Sequence, residues 1–239
     1  MISVSHLYKS FDEQAVLEDI HFEVSKGELL TIFGESGSGK SVLLKHLIGL
    51  LKPDRGTIEI EGRDITRMPE KELLALRKNM GYLFQEGALY DFMNVFENIA
   101  FPLKEHTDLT EGVIREKVRG ILKVVDLEGV EGKYPSELSG GMKKRVGLAR
   151  AAILGSKILL CDEPTSGLDP IRSRDISNLI REVSKRLGCT TLITSHDMDN
   201  SLRISDRIIL IHDKKIAAMG TPQQLKTSGN PLVAEFIGG

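Results

Sequence analysis

The chain has 239 residues, enough to bury the core of one large domain. Hydrophobic residues make up 41% and charged residues 28%, which is ordinary for a globular protein, and the net charge of −2 gives no electrostatic reason to expect a nucleic-acid partner. The longest apolar runs are strand-sized, whereas a helix that crosses a bilayer needs about 20 apolar residues. The N-terminus has no apolar core of signal-peptide length, so we expect a cytoplasmic protein. Cys161 and Cys189 border or lie in apolar runs, which predicts buried thiols instead of a disulfide.

The first sixty residues alternate between short strands and glycine turns. Apolar residues recur at alternate positions up to Val24, which predicts antiparallel strands with one covered face, followed by a turn at Gly27. An apolar strand over 29–33 then leads through a glycine-rich turn into an amphipathic helix over 40–50. A further strand is predicted over 57–60, between two glycines.

Helical periodicity dominates from Val95 to about Leu154, and strand–helix alternation resumes after it. Strands are predicted over 157–162, 190–194 and 207–211, a helix over 170–187, and two last helices at Thr221 and Pro231. Thr221 and Gln224 have capping-box spacing. The fold class is therefore α/β, as one domain over 1–239. Its core, with an N-terminal antiparallel β subdomain, covers 1–85 and 156–239, and a helical subdomain is inserted at 86–155.

A P-loop pattern follows the strand 29–33 and opens the next helix. The motif reads Gly34, Glu35, Ser36, Gly37, Ser38, Gly39, Lys40, Ser41. The glycines allow backbone N–H groups to converge on phosphate oxygens at a helix N-terminus. We expect Lys40 to contact the β- and γ-phosphates of ATP and the Ser41 hydroxyl to hold Mg²⁺. An ordinary Gly/Ser-rich loop is the alternative, but three spaced glycines with Lys-Ser at a strand–helix junction rarely coincide by chance.

Two adjacent carboxylates, Asp162 and Glu163, end the strand predicted over 157–162. Neighbouring side chains on a strand point to opposite faces, so the two acids can have different functions. Asp162 suits a Mg²⁺ ligand, and Glu163 suits the general base that polarises the attacking water. The alternative, a solvated strand end, is common in isolation and less common downstream of a P-loop.

Paired glycines follow Ser139 at the start of a helix predicted to run to Leu154. Ser139 has the chemistry of an N-cap, but an N-cap does not need Gly140 and Gly141 after it, and glycine disfavours the first turn. The pair indicates that a ligand, such as a phosphate, approaches the backbone closely. The basic run 143–145 is interpreted as a solvated helix face in preference to a phosphate or lipid-headgroup patch.

This combination of P-loop, Leu-Ser-Gly-Gly at 138–141 and Asp-Glu at 162–163 resembles the ATP-binding-cassette ATPases over essentially the whole chain. The resemblance implies a P-loop NTPase (RecA-like) core and a head-to-tail homodimer in which each ATP lies between one chain's P-loop and the other's Ser139, Gly140 and Gly141. It implies that Gln85 senses Mg²⁺ and water, that His196 is the switch histidine on the γ-phosphate, and that Asp169 lies in the loop that links the two sites. Phe11 is the expected adenine-stacking residue, with Tyr8 the competitor, and Val42 joins the nucleotide-binding set.

The segment after Gln85 resembles the ATPases of MCE-associated, Mla-type lipid transporters, chiefly through Gly87-Ala88-Leu89 and the run Pro-Leu-Lys-Glu-His-Thr at 102–107. This likeness implies a multi-pass permease, a membrane-anchored MCE protein and often a STAS-domain protein as partners. The cargo would be phospholipid, and the ATPase would sit on the cytoplasmic face of the inner membrane through its permease. A cell-division regulator, a DNA-repair factor, or the subunit of a small-solute or lipoprotein transporter is the alternative.

Overall fold

The computed structural model describes residues 1–238. The chain forms two compact units, one made of Met1–Arg77 with the chain from Thr190 onward, the other of Lys78–Cys189. We call them the first unit and the second unit.

The first unit begins with the predicted antiparallel strands. Its elements up to Arg77 are β1 (Ile2–Phe11), β2 (Gln14–Val24), β3 (Leu29–Phe33), α1 (Lys40–Leu47), β4 (Arg55–Ile60), β5 (Arg63–Asp64) and α2 (Glu70–Arg77). The strands β2, β1, β4 and β5 form an antiparallel sheet in that order. Its inner face is apolar, because Ile2, Val4 and Leu7 of β1 are buried while residues between them are not. Every residue of β3 is buried, as expected for a central strand.

The second unit combines a parallel strand pair with helices. Its elements are β6 (Met80–Leu83), α3 (Val95–His106), α4 (Glu111–Val124), a 3₁₀ turn (Pro135–Glu137), α5 (Gly140–Ala152), β7 (Ile158–Asp162) and α6 (Pro170–Leu187). The strands β6 and β7 are parallel. A capping box between Asn94 and Glu97 starts α3. Asp169 caps α6, Pro170 occupies its first turn, and Gly188 ends it in the left-handed conformation.

The C-terminal part of the first unit contains a second set of strands. Its elements are β8 (Thr190–Ser195), α7 (Met198–Ile204), β9 (Arg207–His212), β10 (Lys215–Gly220), α8 (Pro222–Lys226) and α9 (Pro231–Gly238). Strand β3 lies between β8 and β9 and is parallel to both, and β10 is antiparallel to β9. Phe33, Ile208, Leu210 and Val233 belong to one buried cluster, so helix α9 packs on the sheet that carries β3.

The predicted α/β class, with an antiparallel and a parallel strand set, is confirmed. The capping box predicted at Thr221 and Gln224 is also confirmed, since each side chain accepts a hydrogen bond from the other residue's N–H. Cys161 and Cys189 are buried and form no disulfide within residues 1–238, as expected. The domain bounds predicted at 85/86 and 155/156 stay a prediction. In the described part of the chain, no helix is long and apolar enough to cross a membrane.

Candidate functional site: the P-loop, the carboxylates and the Ser-Gly-Gly helix start

The P-loop connects β3 to α1 in the first unit. Its backbone needs glycine at several points, because Gly37 and Gly39 have φ of +82° and +93°. Gly34 is needed for space, since a Cβ there would lie 2.6 Å from the Ile211 carbonyl oxygen and 2.7 Å from Ser38 Oγ. The residue types at these positions are therefore dictated by the loop conformation itself.

Lys40 folds back over this loop. The side chain is buried, and its Nζ donates to the carbonyl oxygens of Gly34 at 2.8 Å and Glu35 at 2.9 Å. The hydroxyl of Ser38 is also buried, and it has no hydrogen-bond partner in the described residues. Gly39 is the N-cap of α1 and offers no side chain to its first N–H groups. A buried ammonium, an unsatisfied hydroxyl and an uncapped helix start suit a phosphate, so the loop fits ATP.

Asp162 and Glu163 lie where β7 ends in the second unit. Both side chains are buried, and the Tyr82 hydroxyl donates to Asp162 Oδ2 at 3.2 Å. Burial raises the pKa of Tyr82 and the Asp162 carboxylate raises it further, so Tyr82 remains a donor. Glu163 has φ of +43°, a left-handed conformation that a non-glycine residue rarely adopts. Strain of this kind, on the order of 1–3 kcal/mol, is concentrated at functional sites.

Gln85 follows β6 in the same unit. Its Nε2 donates to Ser166 Oγ at 3.3 Å, so Gln85 contacts the turn that follows Glu163. The main-chain oxygen of Gln85 accepts a hydrogen bond from Lys144 Nζ. Lys144 is 6% exposed, so interpreting 143–145 as a solvated helix face is wrong for this lysine. Sequence reasoning missed Lys144, because a charge run is usually solvated and only the packing of α5 shows otherwise.

The Ser-Gly-Gly motif opens α5. Ser139 is its N-cap, and the Ser139 hydroxyl accepts from the Met142 N–H at 3.3 Å. Gly140 and Gly141 have space around them, since a Cβ would come no closer than 3.7 Å and 4.0 Å to other atoms. A cavity of about 230 Å³ lies beside the motif and is lined by Ser139, Gly141, Met142, Arg145, Arg172, Asp175 and Ile176. The glycines thus leave room that the chain itself does not use.

The remaining predicted residues lie at the ends of elements. Asp169 caps α6 by accepting from the Arg172 N–H at 3.0 Å. His196 follows β8 directly and is exposed. Phe11 ends β1 with 42% of its surface exposed, and Lys9 Nζ lies 5.2 Å from its ring centroid. The adenine-stacking role of Phe11 stays a prediction.

The donor set predicted for Mg²⁺ is a hydroxyl, an amide and a carboxylate, from Ser41, Gln85 and Asp162. Mg²⁺ prefers oxygen ligands and is usually completed by water and substrate phosphates, so this donor chemistry fits it. Ser41 is partly buried at the start of α1, and Asp162 is buried at the end of β7. The metal role of the three residues stays a prediction.

The comparisons with known proteins decide the family. Residues 17–166 match the family model described as ABC transporter. The chain is 44% identical over its full length to "Probable ribonucleotide transport ATP-binding protein mkl" of Mycobacterium leprae, of which it spans 69%. It is 41% identical over its full length to the intermembrane phospholipid transport system ATP-binding protein MlaF of Haemophilus influenzae, of which it spans 90%.

This chain belongs to the ABC transporter family. A solved structure agrees: the ATP-binding cassette MJ0796, dimeric and bound to ADP and Pi after hydrolysis, has a TM-score of 0.85 at 28% identity, with 93% of this chain and 99% of that chain covered. The predicted family is therefore confirmed, and the chain is the ATP-binding and ATP-hydrolysing subunit of an ABC transporter. The family prediction was based on three motifs of this ABC ATPase, which are the P-loop, Leu-Ser-Gly-Gly at 138–141 and Asp-Glu at 162–163.

Proposed function

We propose that this ABC ATPase drives a membrane permease that moves phospholipid between the inner and outer membranes. The observation that carries this proposal is the 41% identity to a phospholipid-transport ATPase over the whole chain and 90% of that relative. The segment after Gln85 adds to it, because 87–89 and 102–107 resemble the matching segments of Mla-type ATPases.

The ATP chemistry is assigned to the predicted site residues. Lys40 neutralises the β- and γ-phosphates, and Glu163 accepts the proton of the attacking water. His196 donates a hydrogen bond to the γ-phosphate, and Gln85 orients the water. Mg²⁺, held by Ser41, Asp162 and Gln85, would neutralise charge on the transferred phosphoryl group. Glu163 is buried, which strengthens its interaction with the water that it polarises.

A second copy of the chain is proposed to complete each ATP site. The unused space at Gly140 and Gly141 and the adjacent cavity support this, because they admit a phosphate at a helix N-terminus. Asp169, the N-cap of α6, would connect the two sites. The neighbour MJ0796 is itself dimeric.

A mixing experiment tests the shared site. Lys40→Ala subunits lack phosphate binding, and Ser139→Arg subunits fill the space that the partner's ATP needs. Mixing two inactive variants should restore measurable ATPase activity, since some dimers carry one intact site. Mixtures of each variant with wild-type chain serve as the control for subunit dilution. No recovery in the variant mixture would contradict sharing, provided that mixtures of either variant with wild type show more activity than their wild-type homodimers account for.

The segment from Gln85 to His106 is proposed to bind the permease. Val95 and Ile99 are buried in the helical part of the unit, whereas Phe92 is 75% exposed and Tyr90 39% exposed. The ring centroids of Tyr90 and Phe92 lie 5.7 Å apart, and the Tyr90 ring also lies 5.3 Å from that of Phe101. A supported group of aromatic rings is the surface that a partner helix needs. The predicted partners are a permease, an MCE protein and a STAS-domain protein.

Purification of the native membrane complex tests the lipid assignment. We expect a permease and an MCE protein by mass spectrometry, with phospholipid bound. Phe92→Asp should abolish assembly while ATP binding by the chain survives. Leu187→Asp, at another exposed apolar residue, should assemble normally. Recovery of Phe92→Asp in intact, transporting complexes would place the docking surface elsewhere.

A second candidate cargo is a ribonucleotide. It is favoured by the 44% identity to mkl, whose name specifies ribonucleotide transport. The same purified complex distinguishes the two candidates, since nucleotide in the transport pathway and no bound phospholipid would replace the lipid assignment and leave the ATPase assignment unchanged.

A further inference from the structure

One face of α5 holds the loop that contains Gln85. Lys144, Gly147 and Arg150 follow each other at intervals of three residues, so they share a helix face. All three contact the loop from Leu83 to Tyr90, which we call the glutamine loop. Helix α5 also carries Ser139 and its glycines at its N-terminus.

Lys144 fastens the start of the glutamine loop. Its ammonium donates to the main-chain oxygen of Gln85 and is buried. Burial lowers the pKa of Lys144, and the nearby carboxylates of Glu86, Glu163 and Asp162 act in the opposite direction. A buried cation is retained only where hydrogen bonds and opposite charges compensate its lost hydration. Three carboxylates and a carbonyl oxygen supply that compensation here.

Arg150 fastens the end of the same loop. Its Nη2 donates to the main-chain oxygen of Gly87 at 2.8 Å, and its Nη1 donates to that of Ala88 at 2.9 Å. The guanidinium carbon lies 5.6 Å from the Tyr90 ring centroid. Arginine can make both hydrogen bonds and the ring contact at once because its donors form a rigid planar fork, which lysine lacks.

Gly147 allows the helix and the loop to approach each other. A Cβ at this position would lie 2.9 Å from Leu83 Cδ1 and 3.2 Å from Gly87 Cα. Gly87 has φ of +79°, and a Cβ there would lie 3.1 Å from the Lys143 oxygen. The main chains of α5 and of the glutamine loop therefore pack directly against each other, between the contacts made by Lys144 and Arg150.

We propose that Lys144 and Arg150 are positioning residues that fix the glutamine loop to α5, so that Gln85 and the Ser-Gly-Gly helix start move as one body. The main-chain carbonyls of Gln85, Gly87 and Ala88 are the attachment points, so the link does not depend on the loop's side chains. A nucleotide bound at Ser139 would thereby set the position of Gln85, which lies in the same unit. This inference rests on the proposed roles of Gln85 and Ser139.

Two substitutions break the link at different points. Lys144→Met keeps the side-chain length and removes the charge, and Arg150→Lys keeps the charge and removes the fork. The adjacent Lys143→Met is the matched control, because Lys143 is only partly buried and its side chain makes none of these contacts. All are made in the full chain, and turnover is normalised to the fraction folded in thermal unfolding.

Hydrogen–deuterium exchange reports the link directly. We expect the amides of 85–90 to exchange about 10-fold faster or more in Lys144→Met and Arg150→Lys, the loss typical of one charge-assisted hydrogen bond. The amides of α5 itself should keep their protection, and Lys143→Met should match wild type. Unchanged exchange of 85–90 in both variants would overturn the inference.

Kinetics then separate positioning from packing. We expect kcat per folded molecule to fall about 10-fold, while KM for ATP changes much less, because the P-loop is untouched. Faster amide exchange at 85–90 together with a wild-type kcat would overturn the proposal that Lys144 and Arg150 position Gln85 for catalysis. Gln85→Ala tests the underlying assignment separately: if Gln85→Ala turns over normally, the proposed role of Gln85 fails, whatever the exchange data show.

Discussion

The P-loop and the Ser-Gly-Gly motif both place glycines at the start of a helix, but the glycines serve different needs. At Gly34 a Cβ would lie 2.6 Å from a carbonyl oxygen of the chain's own β9, and Gly39 has φ of +93°. At Gly140 and Gly141 an added Cβ would lie 3.7 Å and 4.0 Å from the nearest atoms outside the backbone of α5 itself. Neither glycine is among those with positive φ. The P-loop glycines are required by the fold, and those of α5 are not.

This difference shows what an unneeded glycine means. Glycine in the first turn of a helix lowers helix stability by roughly 0.5–1 kcal/mol relative to alanine. Where the fold gives no reason for it, the reason lies outside the chain. The two glycines of α5 are therefore evidence for a ligand that comes from elsewhere, whereas those of the P-loop are compatible with a ligand without proving one.

The largest effect is expected at the P-loop. Lys40→Ala should abolish both ATP binding and hydrolysis with the fold intact, because the ammonium that faces the phosphates is gone. A fluorescent ATP analogue and a phosphate-release assay measure the two losses, and circular dichroism checks the fold. Lys45→Ala, on an exposed position of the same helix, is the control. Turnover at the wild-type rate in Lys40→Ala would remove the ATP assignment of this loop.

Glu163→Gln should separate ATP binding from hydrolysis. The amide keeps the shape and the left-handed backbone but cannot accept the proton, so hydrolysis should slow about 10²–10⁴-fold. ATP should then remain bound, and a long-lived dimer should appear by light scattering in the presence of the permease. Glu182→Gln, at a surface ion pair of α6, should have normal turnover. A persistent monomer would count against the shared site.

The fold requirement at the P-loop is measured by Gly34→Ala. The added methyl group meets a main-chain oxygen that cannot rotate away, so overpacking should lower the free energy of unfolding by about 1–3 kcal/mol. Urea unfolding without nucleotide measures this change. If Gly34→Ala unfolds at the wild-type urea concentration, the loop tolerates a side chain, and the contrast with α5 disappears.

The smallest stability effect has the opposite sign. Gly140→Ala should raise the free energy of unfolding by about 0.5–1 kcal/mol, since alanine is the better helix former and has room. Its ATPase activity in the assembled complex should fall, because the methyl group occupies space meant for the partner's nucleotide. A variant that is more stable and equally active would show that the glycine serves no ligand.

The sequence predicted elements best where end signals and periodicity agree. Helix α6 begins and ends where predicted, at Pro170 and Leu187, because Asp169, Pro170 and Gly188 mark both ends. The hairpin strand β10 was missed, since Asp213 and Lys214 form its turn with φ of +46° and +67° in place of the usual Asn-Gly. Helices α2 and α7 were also missed.

The motif residues of the candidate site were predictable from the sequence, but the residues that hold them in place were not. Lys40, Ser139 and Glu163 stand in patterns that few other functions require, so their positions followed from spacing. Lys144 and Arg150 stand in no such pattern, and their interactions with the glutamine loop depend on the tertiary packing of α5 against β6. A charged residue's burial is a property of its neighbours in space, which a single sequence does not show.

The left-handed backbone at Glu163 also restricts how this position can change during evolution. Branched residues such as valine, isoleucine and threonine fit φ of +43° poorly, whereas glycine, asparagine and aspartate tolerate it. A paralogue that keeps this fold and abandons hydrolysis should therefore drift at the corresponding position towards Asn, Asp or Gly. An alignment of paralogues would show this change at the position of Glu163. The residue found there would distinguish a paralogue that binds ATP without hydrolysing it from an active ATPase.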